Sequence, residues 1–402
     1  MNIMFFNVGP VAESFGGIQR VTKLLADFFS KKGHKVFFLS SYTIEESKKF
    51  YRADTRGLCF HQNQYFLPDS LKNGIPESDI SFFKNFLDEN NIDILINQGG
   101  LSEAVSGFAY NCKRLRPSIR LFSVIHSTIL NKFDNIAYIK ENRLRKMRMG
   151  FLLPVLKNPL FIFMLRKFFA LKLRRHYKTL CRESDKVVLL SDYLKPEFGE
   201  VVGFQPKNVV AINNPACEDF DFSDLSQKKK KILWVGRADD GKRLDIFVKI
   251  WERVFEKFPD WQADVLGDGY MLAACKKYAA DKGVEGINFR GFAESRDYFR
   301  EASIFCFTTT YEGFGMALLE AMQSSCAPVC FNSFATAKEL VSDGDTGFLV
   351  KPFDVGEYAE KLSALMDSGE LRNSMARGSY KKSKDFSMDV VGARWLAAMS
   401  EK

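Results

Sequence analysis

The sequence predicts an α/β protein of two doubly wound domains, each a parallel sheet wrapped by helices. Three observations predict it. Strand-like apolar runs alternate with amphipathic helical stretches along most of the chain, which is the rhythm of parallel sheets. A polar stretch from Asp219 to Lys231, ending in a run of lysines, reads as a linker, and the alternation restarts there. The length of 402 residues also exceeds what one hydrophobic core usually serves.

The first half offers strands at Ile3–Val8, Lys35–Ser40, Ile92–Asn97, Leu121–His126 and Lys186–Ser191, with helices such as Ile18–Lys32 and Leu101–Leu115 between them. The second half offers strands at Lys230–Gly236, Gln262–Leu266, Ile287–Gly291, Ser303–Phe307, Pro328–Asn332 and Gly347–Val350. The expected domains are residues 1–205 and 206–384. Joined in this way, they would put a cleft at the C-terminal ends of both sheets, where ligands bind in such folds.

Apolar content of 46% and charged content of 27% are those of a globular chain, and 39 phenylalanines imply generous burial or an apolar surface. A net charge of +9 makes an anionic partner plausible: nucleotide, nucleic acid or anionic lipid. The eight cysteines, among them Cys59, Cys306 and Cys330, form no CxxC pair and read as buried free thiols of a reducing compartment. The chain opens on a strand, so no signal peptide is expected. It has no apolar run of about 18 residues, so no transmembrane helix is expected.

Residues 312–320, Glu-Gly-Phe-Gly-Met-Ala-Leu-Leu-Glu, carry the strongest functional signal. Glycines at the mouth of a helix expose backbone N–H groups, and the helix dipole favours an anion there. Glu312 precedes that helix start and Glu320 lies more than one turn inside it, so the two can hold different parts of one ligand. A diphosphate at the helix end and hydroxyl-rich groups at the carboxylates describe a sugar nucleotide. Upstream, Val235-Gly236-Arg237 ends a strand and Lys242 follows a turn at Asp239-Asp240-Gly241. A forked Arg and a point-charge Lys can face one anion. Gly267-Asp268-Gly269 ends the next strand and would let a base or ribose approach the backbone. Phe15-Gly16-Gly17-Ile18-Gln19-Arg20 follows the first strand, and His126 ends a strand of the first domain. Asn213-Asn214-Pro215 reads as a turn at the domain junction. His34, His61 and His176 carry no functional signal, no His/Cys/Asp cluster has metal-ligand spacing, and no Asp-x-Asp lies between apolar residues.

The Glu312–Glu320 spacing, with Arg237 and Lys242 upstream, resembles the signature of retaining glycosyltransferases of the GT-B fold, in particular family 4. The resemblance covers nearly the whole chain, with a gap around residues 130–180. It implies two Rossmann-like domains facing a cleft and a last helix, within residues 385–402, that crosses back to the N-terminal domain. It implies that Arg237 and Lys242 grip the donor diphosphate without a metal and that Glu320 binds ribose hydroxyls. Glu312 would hold the donor sugar at the reacting centre. The backbone of Gly236, Gly267, Gly269, Phe314, Gly315, Met316, Ala317 and Leu318 would line the donor site. Gly16 and Gly17 would meet donor phosphates or acceptor, and His126 the donor sugar. No cofactor is implied beyond a UDP-sugar or GDP-sugar donor. Two alternatives stay open: a non-catalytic sugar-nucleotide or membrane-binding protein of this fold, and a sugar-nucleotide epimerase.

Residues 138–180 interleave Lys140, Arg143, Arg145, Lys146 and Arg148 with Phe151-Leu152-Leu153, then Leu160–Leu165 with Arg166, Lys167, Lys172, Arg174 and Arg175. That mixture suits the interface of an anionic membrane. The alternative is an inserted helical pair with a solvated basic face. Pro154 and Pro159 are expected to break the segment into short helices. No nucleic-acid motif accompanies the charge. The expected partners are therefore a nucleotide-sugar donor, a glycan or lipid-linked acceptor and an anionic membrane, not nucleic acid. The expected setting is the inner face of the cytoplasmic membrane, in envelope polysaccharide or lipopolysaccharide synthesis.

Overall fold

The computed structural model describes residues 1–7, 9, 11, 16–40, 64–66, 77–222 and 224–401; Phe15, Cys59 and His61 lie outside the described residues. The chain forms two compact units. One comprises Met1–Ser127, Ala170–Pro215 and Met388–Lys402, the other Thr128–Phe169 and Ala216–Ser387.

The first unit holds a seven-stranded sheet in the order β3-β2-β1-β4-β5-β6-β7. Its strands are β1 (Asn2–Asn7), β2 (Lys35–Ser40), β3 (Gln64–Phe66), β4 (Ile94–Asn97), β5 (Arg120–Ile125), β6 (Lys186–Leu189) and β7 (Val209–Ala211). Every pairing is parallel. Helices cover both faces of such a sheet, so its strands read as continuous apolar runs; Ile3, Met4, Phe5 and Phe6 are all fully buried. Phe5 stacks on Phe29 of the helix Gly17–Lys31 and on Phe38 of β2, with ring centroids 6.2 and 5.9 Å apart. The last helix, Met388–Ser400, packs on this unit, as the resemblance implies. Trp395 lies against Phe122, the Arg120 guanidinium donates to the Ala398 and Met399 carbonyls, and a Cβ on Gly392 would stand 2.3 Å from Phe28.

The second unit holds a six-stranded sheet in the order β10-β9-β8-β11-β12-β13, again parallel. Its strands are β8 (Lys229–Val235), β9 (Gln262–Leu266), β10 (Ile287–Gly291), β11 (Ala302–Phe307), β12 (Ala327–Phe331) and β13 (Phe348–Val350). Its core is built on Trp234, Trp251 and Trp261. The indole N–H groups of Trp234 and Trp251 are satisfied by Thr308 Oγ1 at 3.0 Å and the Glu285 carbonyl at 2.7 Å, as burial of a donor requires. In each sheet the winding reverses at the first strand, so the switch points lie between β1 and β4 and between β8 and β11.

Two strands were not anticipated. β3 and β7 are three residues long and sit at the two edges of the first sheet, too short to show a pattern. The basic segment also differs from expectation. Pro154 does sit in a short helix, Leu153–Lys157, but Pro159 opens a 25-residue helix, Pro159–Glu183, rather than ending one. Proline is at home at a first helical position. Asn158 caps that helix, its Oδ1 accepting from the Leu160 and Phe161 amides at 2.9 and 3.2 Å. Among the described residues no helix is long and apolar enough to cross a membrane, and the described cysteines are unpaired.

Candidate active site

The switch point of the second sheet gathers most of the residues singled out by sequence. β8 runs into Gly236 and Arg237, and the chain then turns sharply. The Asp239 carboxylate sets that turn, Oδ1 accepting from the amides of Gly241 at 2.9 Å and Lys242 at 3.0 Å, an Asx-type turn. Arg237 is left 80% exposed, with its Nε 3.5 Å from Asp239 Oδ2. The residues after β11 hold the same turn from the other side. Thr309 and Thr310 hydroxyls donate to the Gly241 carbonyl at 3.1 and 3.0 Å, and Thr308 Oγ1 donates to the Lys242 carbonyl at 2.9 Å. The turn is thereby fixed to the sheet rather than left as a free surface loop.

Lys242 and Glu312 form an ion pair, Nζ to Oε1, with both side chains mostly buried. The Lys242 ammonium also stands 5.4 Å over the Phe307 ring. Burial pulls its pKa down to about 8, against the attraction of Asp239, so it is charged at neutral pH and starts to lose its charge just above. Next comes the helix Met316–Gln323. Its N-cap is Gly315 at φ 101°, a backbone state that favours glycine, and no side chain caps it. With no side-chain cap, the amides of its first turn are offered to an outside acceptor. Phe314 and Leu318 are buried, so only their backbone can meet a ligand, and the Leu318 amide is taken by the Gly315 carbonyl at 3.0 Å. Met316 and Ala317 are half-buried, and Glu320 is buried in the helix.

Gly267 and Gly269 serve the protein before any ligand. A Cβ on Gly267, at φ 133°, would fall 1.8 Å from the Gly236 carbonyl oxygen, and one on Gly269, at φ 156°, 2.4 Å from that of Ala238. The Asp268 carbonyl accepts from the Ala238 amide at 2.9 Å. The two glycines therefore let the loop after β9 lie directly against the loop carrying Arg237.

Gly16, Gly17 and His126 belong to the first unit. Gly16 is the N-cap of Gly17–Lys31, and both glycines are exposed. His126 follows β5 and its Nε2 bonds Gln98 Oε1. Burial pushes its pKa down to about 4, so the ring is neutral; with Nε2–H donating to the Gln98 carbonyl, Nδ1 is the acceptor.

Four contributors were missed from sequence. Arg243 is 2% exposed at φ 54°; its guanidinium forks onto both Asp245 oxygens at 2.9 Å and donates to the Tyr138 carbonyl at 2.8 Å. It locks the residue after Lys242. Thr308 bonds the carbonyls of Lys242 and Arg243. Asn7 ends β1 and Gln98 directly follows β4 at the first sheet's switch point, 1% and 4% exposed, and each has a side-chain amide nitrogen with no partner. A polar residue closing an apolar run, as in Phe5-Phe6-Asn7 and Leu95-Ile96-Asn97-Gln98, is the signal that could have found these two. Among the described residues no group of His, Cys, Asp and Glu could hold a metal ion.

Two family models match the chain. Glycosyltransferase Family 4 matches residues 15–219, just over half of it, and Glycosyl transferases group 1 matches residues 217–382. An uncharacterized glycosyltransferase of Haemophilus influenzae is 26% identical over 98% of both chains. The N-acetylgalactosamine-N,N'-diacetylbacillosaminyl-diphospho-undecaprenol 4-alpha-N-acetylgalactosaminyltransferase of Campylobacter jejuni is 28% identical over 40% of this chain and 44% of its own. Anabaena HepE in complex with UDP superposes over all of both chains with a TM-score of 0.72 at 14% identity. The chain belongs to glycosyltransferase family 4: it is an enzyme of the GT-B fold that transfers a sugar from a nucleotide diphosphate sugar to a glycan or lipid acceptor.

Proposed function

We propose that the protein is a retaining transferase that takes its sugar from a UDP-sugar held at the second sheet's switch point, without a metal. The observation that carries this reading is the Lys242–Glu312 pair set between an exposed Arg237 and the uncapped helix start at Gly315. Arg237 and Lys242 take the diphosphate, and the Met316 and Ala317 amides add their dipoles at the point where leaving-group charge develops. Glu320 binds the ribose and Glu312 the donor sugar. The bond from the anomeric carbon to the diphosphate breaks as the acceptor hydroxyl bonds to the same face. The acceptor proton leaves with the departing diphosphate oxygen, so no protein nucleophile is needed. UDP is favoured as the carrier because HepE, of the same fold, is described bound to it.

In the first unit, the free amide N–H groups of Asn7 and Gln98 are donors for sugar hydroxyls, and His126 Nδ1 is an acceptor. Gly16 and Gly17 admit a ligand close to the backbone. The acceptor is a lipid-linked glycan of envelope polysaccharide or lipopolysaccharide, met on the inner face of the cytoplasmic membrane. The diphospho-undecaprenol in the Campylobacter relative's name supports that class of acceptor.

Calorimetric titration of UDP tests the donor site. Loss of one charge-assisted contact costs about 1.5–3 kcal/mol, so Arg237→Ala weakens UDP binding by roughly 10- to 150-fold. An unchanged dissociation constant contradicts the assignment. The same titration reads the charge on Lys242. With its pKa at about 8, the cation is present below that pH and lost above it. UDP affinity is therefore level near pH 7 and falls by up to about tenfold per pH unit above 8. In Lys242→Gln the affinity is lower and this fall is absent.

A further inference from the structure

The helix Pro159–Glu183 presents an outer face that solvent alone does not explain. At about 3.6 residues per turn, Leu160, Phe163, Met164, Phe168 and Leu171 fall on one stripe, and Arg175, Lys178 and Arg182 prolong it. All eight are exposed, Leu160 at 65%, Phe168 at 61% and Leu171 at 62%. The opposite stripe, Ala170, His176, Tyr177 and Leu180, is the buried one. A helix normally turns its apolar side chains inward and its polar ones outward. Here the outward face is apolar for about three turns, with the one exposed cation Lys167 lying 5.5 Å over the Phe163 ring, and is cationic for the next two to three. Single exposed apolar residues are ordinary, but a contiguous row marks an interaction surface. The exposure extends upstream to Phe151, at 73%.

The cationic half is shaped as well as charged. Arg174, Arg175, Lys178 and Arg182, with Leu171, Thr179 and Phe204, line an open groove of about 700 Å³ that has no acidic residue in its lining. Arg174 is fixed in place by its Nε, which donates to the Val201 carbonyl at 3.1 Å.

We propose that this helix face seats the protein on an anionic bilayer. Leu160, Phe163, Phe168 and Leu171 enter the boundary between headgroups and acyl chains, and the groove cations take lipid phosphates. The order of chemistry along the stripe selects this occupant. A nucleic acid would use the cations and leave the phenylalanines in water. A second copy would bury Arg174, Arg175 and Lys178, which have no carboxylate partner among the described residues; of the groove cations Arg182 has one, Glu183 at 2.8 Å. The inference rests on the membrane setting proposed above and names the surface that provides it; it does not depend on the donor-site assignment.

Co-sedimentation of the full chain with vesicles tests it. Vesicles of phosphatidylglycerol and phosphatidylethanolamine bind the protein at least about tenfold better than phosphatidylcholine vesicles. Two triple variants of exposed residues, Phe163→Ser/Phe168→Ser/Leu171→Ser and Arg175→Gln/Lys178→Gln/Arg182→Gln, each weaken that binding about tenfold or more, with melting temperature and UDP affinity unchanged. Equal binding by wild type and both variants overturns the proposal. So does indifference to phosphatidylglycerol, or a wild-type dimer that either variant dissolves. Loss of binding by the arginine and lysine variant alone, with the apolar variant binding as wild type, identifies mere polyanion adsorption and also overturns it. Wild-type UDP binding without vesicle binding overturns the docking face and leaves the transferase reading intact.

Discussion

Glu312→Ala abolishes sugar transfer while leaving UDP binding within about tenfold of wild type. The expected loss in kcat is on the order of 10²–10³ or more, the usual cost of removing one preorganised group facing developing charge. The carboxylate is mostly buried and already engaged with Lys242, so its position does not have to be found when the donor arrives. Removing it takes nothing from Arg237 or from the helix start at Gly315, which hold the diphosphate. It also leaves the buried Lys242 ammonium without its partner, and the desolvated cation then loses its proton more readily. The fall in UDP affinity with rising pH accordingly begins at a lower pH in this variant than in wild type. Steady-state transfer assays and UDP titrations on the same preparation check both parts. Transfer within tenfold of wild type contradicts the role given to Glu312, and parallel loss of nucleotide binding makes it a binding residue instead.

Gly267→Ala has the largest expected effect on stability. A methyl group there would stand 1.8 Å from the Gly236 carbonyl oxygen, at φ 133°, a combination that no side-chain movement relieves. Backbone strain and clash together cost about 3 kcal/mol or more. In a unit of this size that lowers the melting temperature by roughly 10 °C. UDP binding falls with it, because the loop that must move carries Arg237. Gly283→Ala is the matched control: φ is 62° but nothing lies within 4 Å of the added Cβ, so its cost is only about 1 kcal/mol. Equal melting temperatures for the two variants contradict the packing described for the β8 and β9 loops.

The two sheets were legible because buried parallel strands are long apolar runs: Lys35–Ser40, Gln262–Leu266 and Ile287–Gly291 begin and end where the sequence places them. Val209–Ala211 was not, since a three-residue, half-buried edge strand carries no period. Pro159 was misread because proline ends a helix and starts one equally well, and the capping contact of Asn158 decided which. In the site, Glu312, Gly315 and Glu320 were legible as one contiguous strand-to-helix turn. Arg243 was not, because its partners Tyr138 and Glu141 lie about a hundred residues away. Nor were the orphaned amides of Asn7 and Gln98, which depend on the register of β1 with β4. Local chemistry showed in the sequence; what long-range packing does to a side chain did not.

Thermal unfolding in EDTA with UDP, GDP, ADP and their sugar conjugates tests the central claim most directly. A nucleotide at about 100 times its dissociation constant stabilises the folded state by about 2.7 kcal/mol, a readily measured shift. The account predicts stabilisation by uridine nucleotides, undiminished by EDTA and cut to about 1.4 kcal/mol or less in Arg237→Ala. No shift with any nucleotide, or a shift that Arg237→Ala leaves intact, contradicts it.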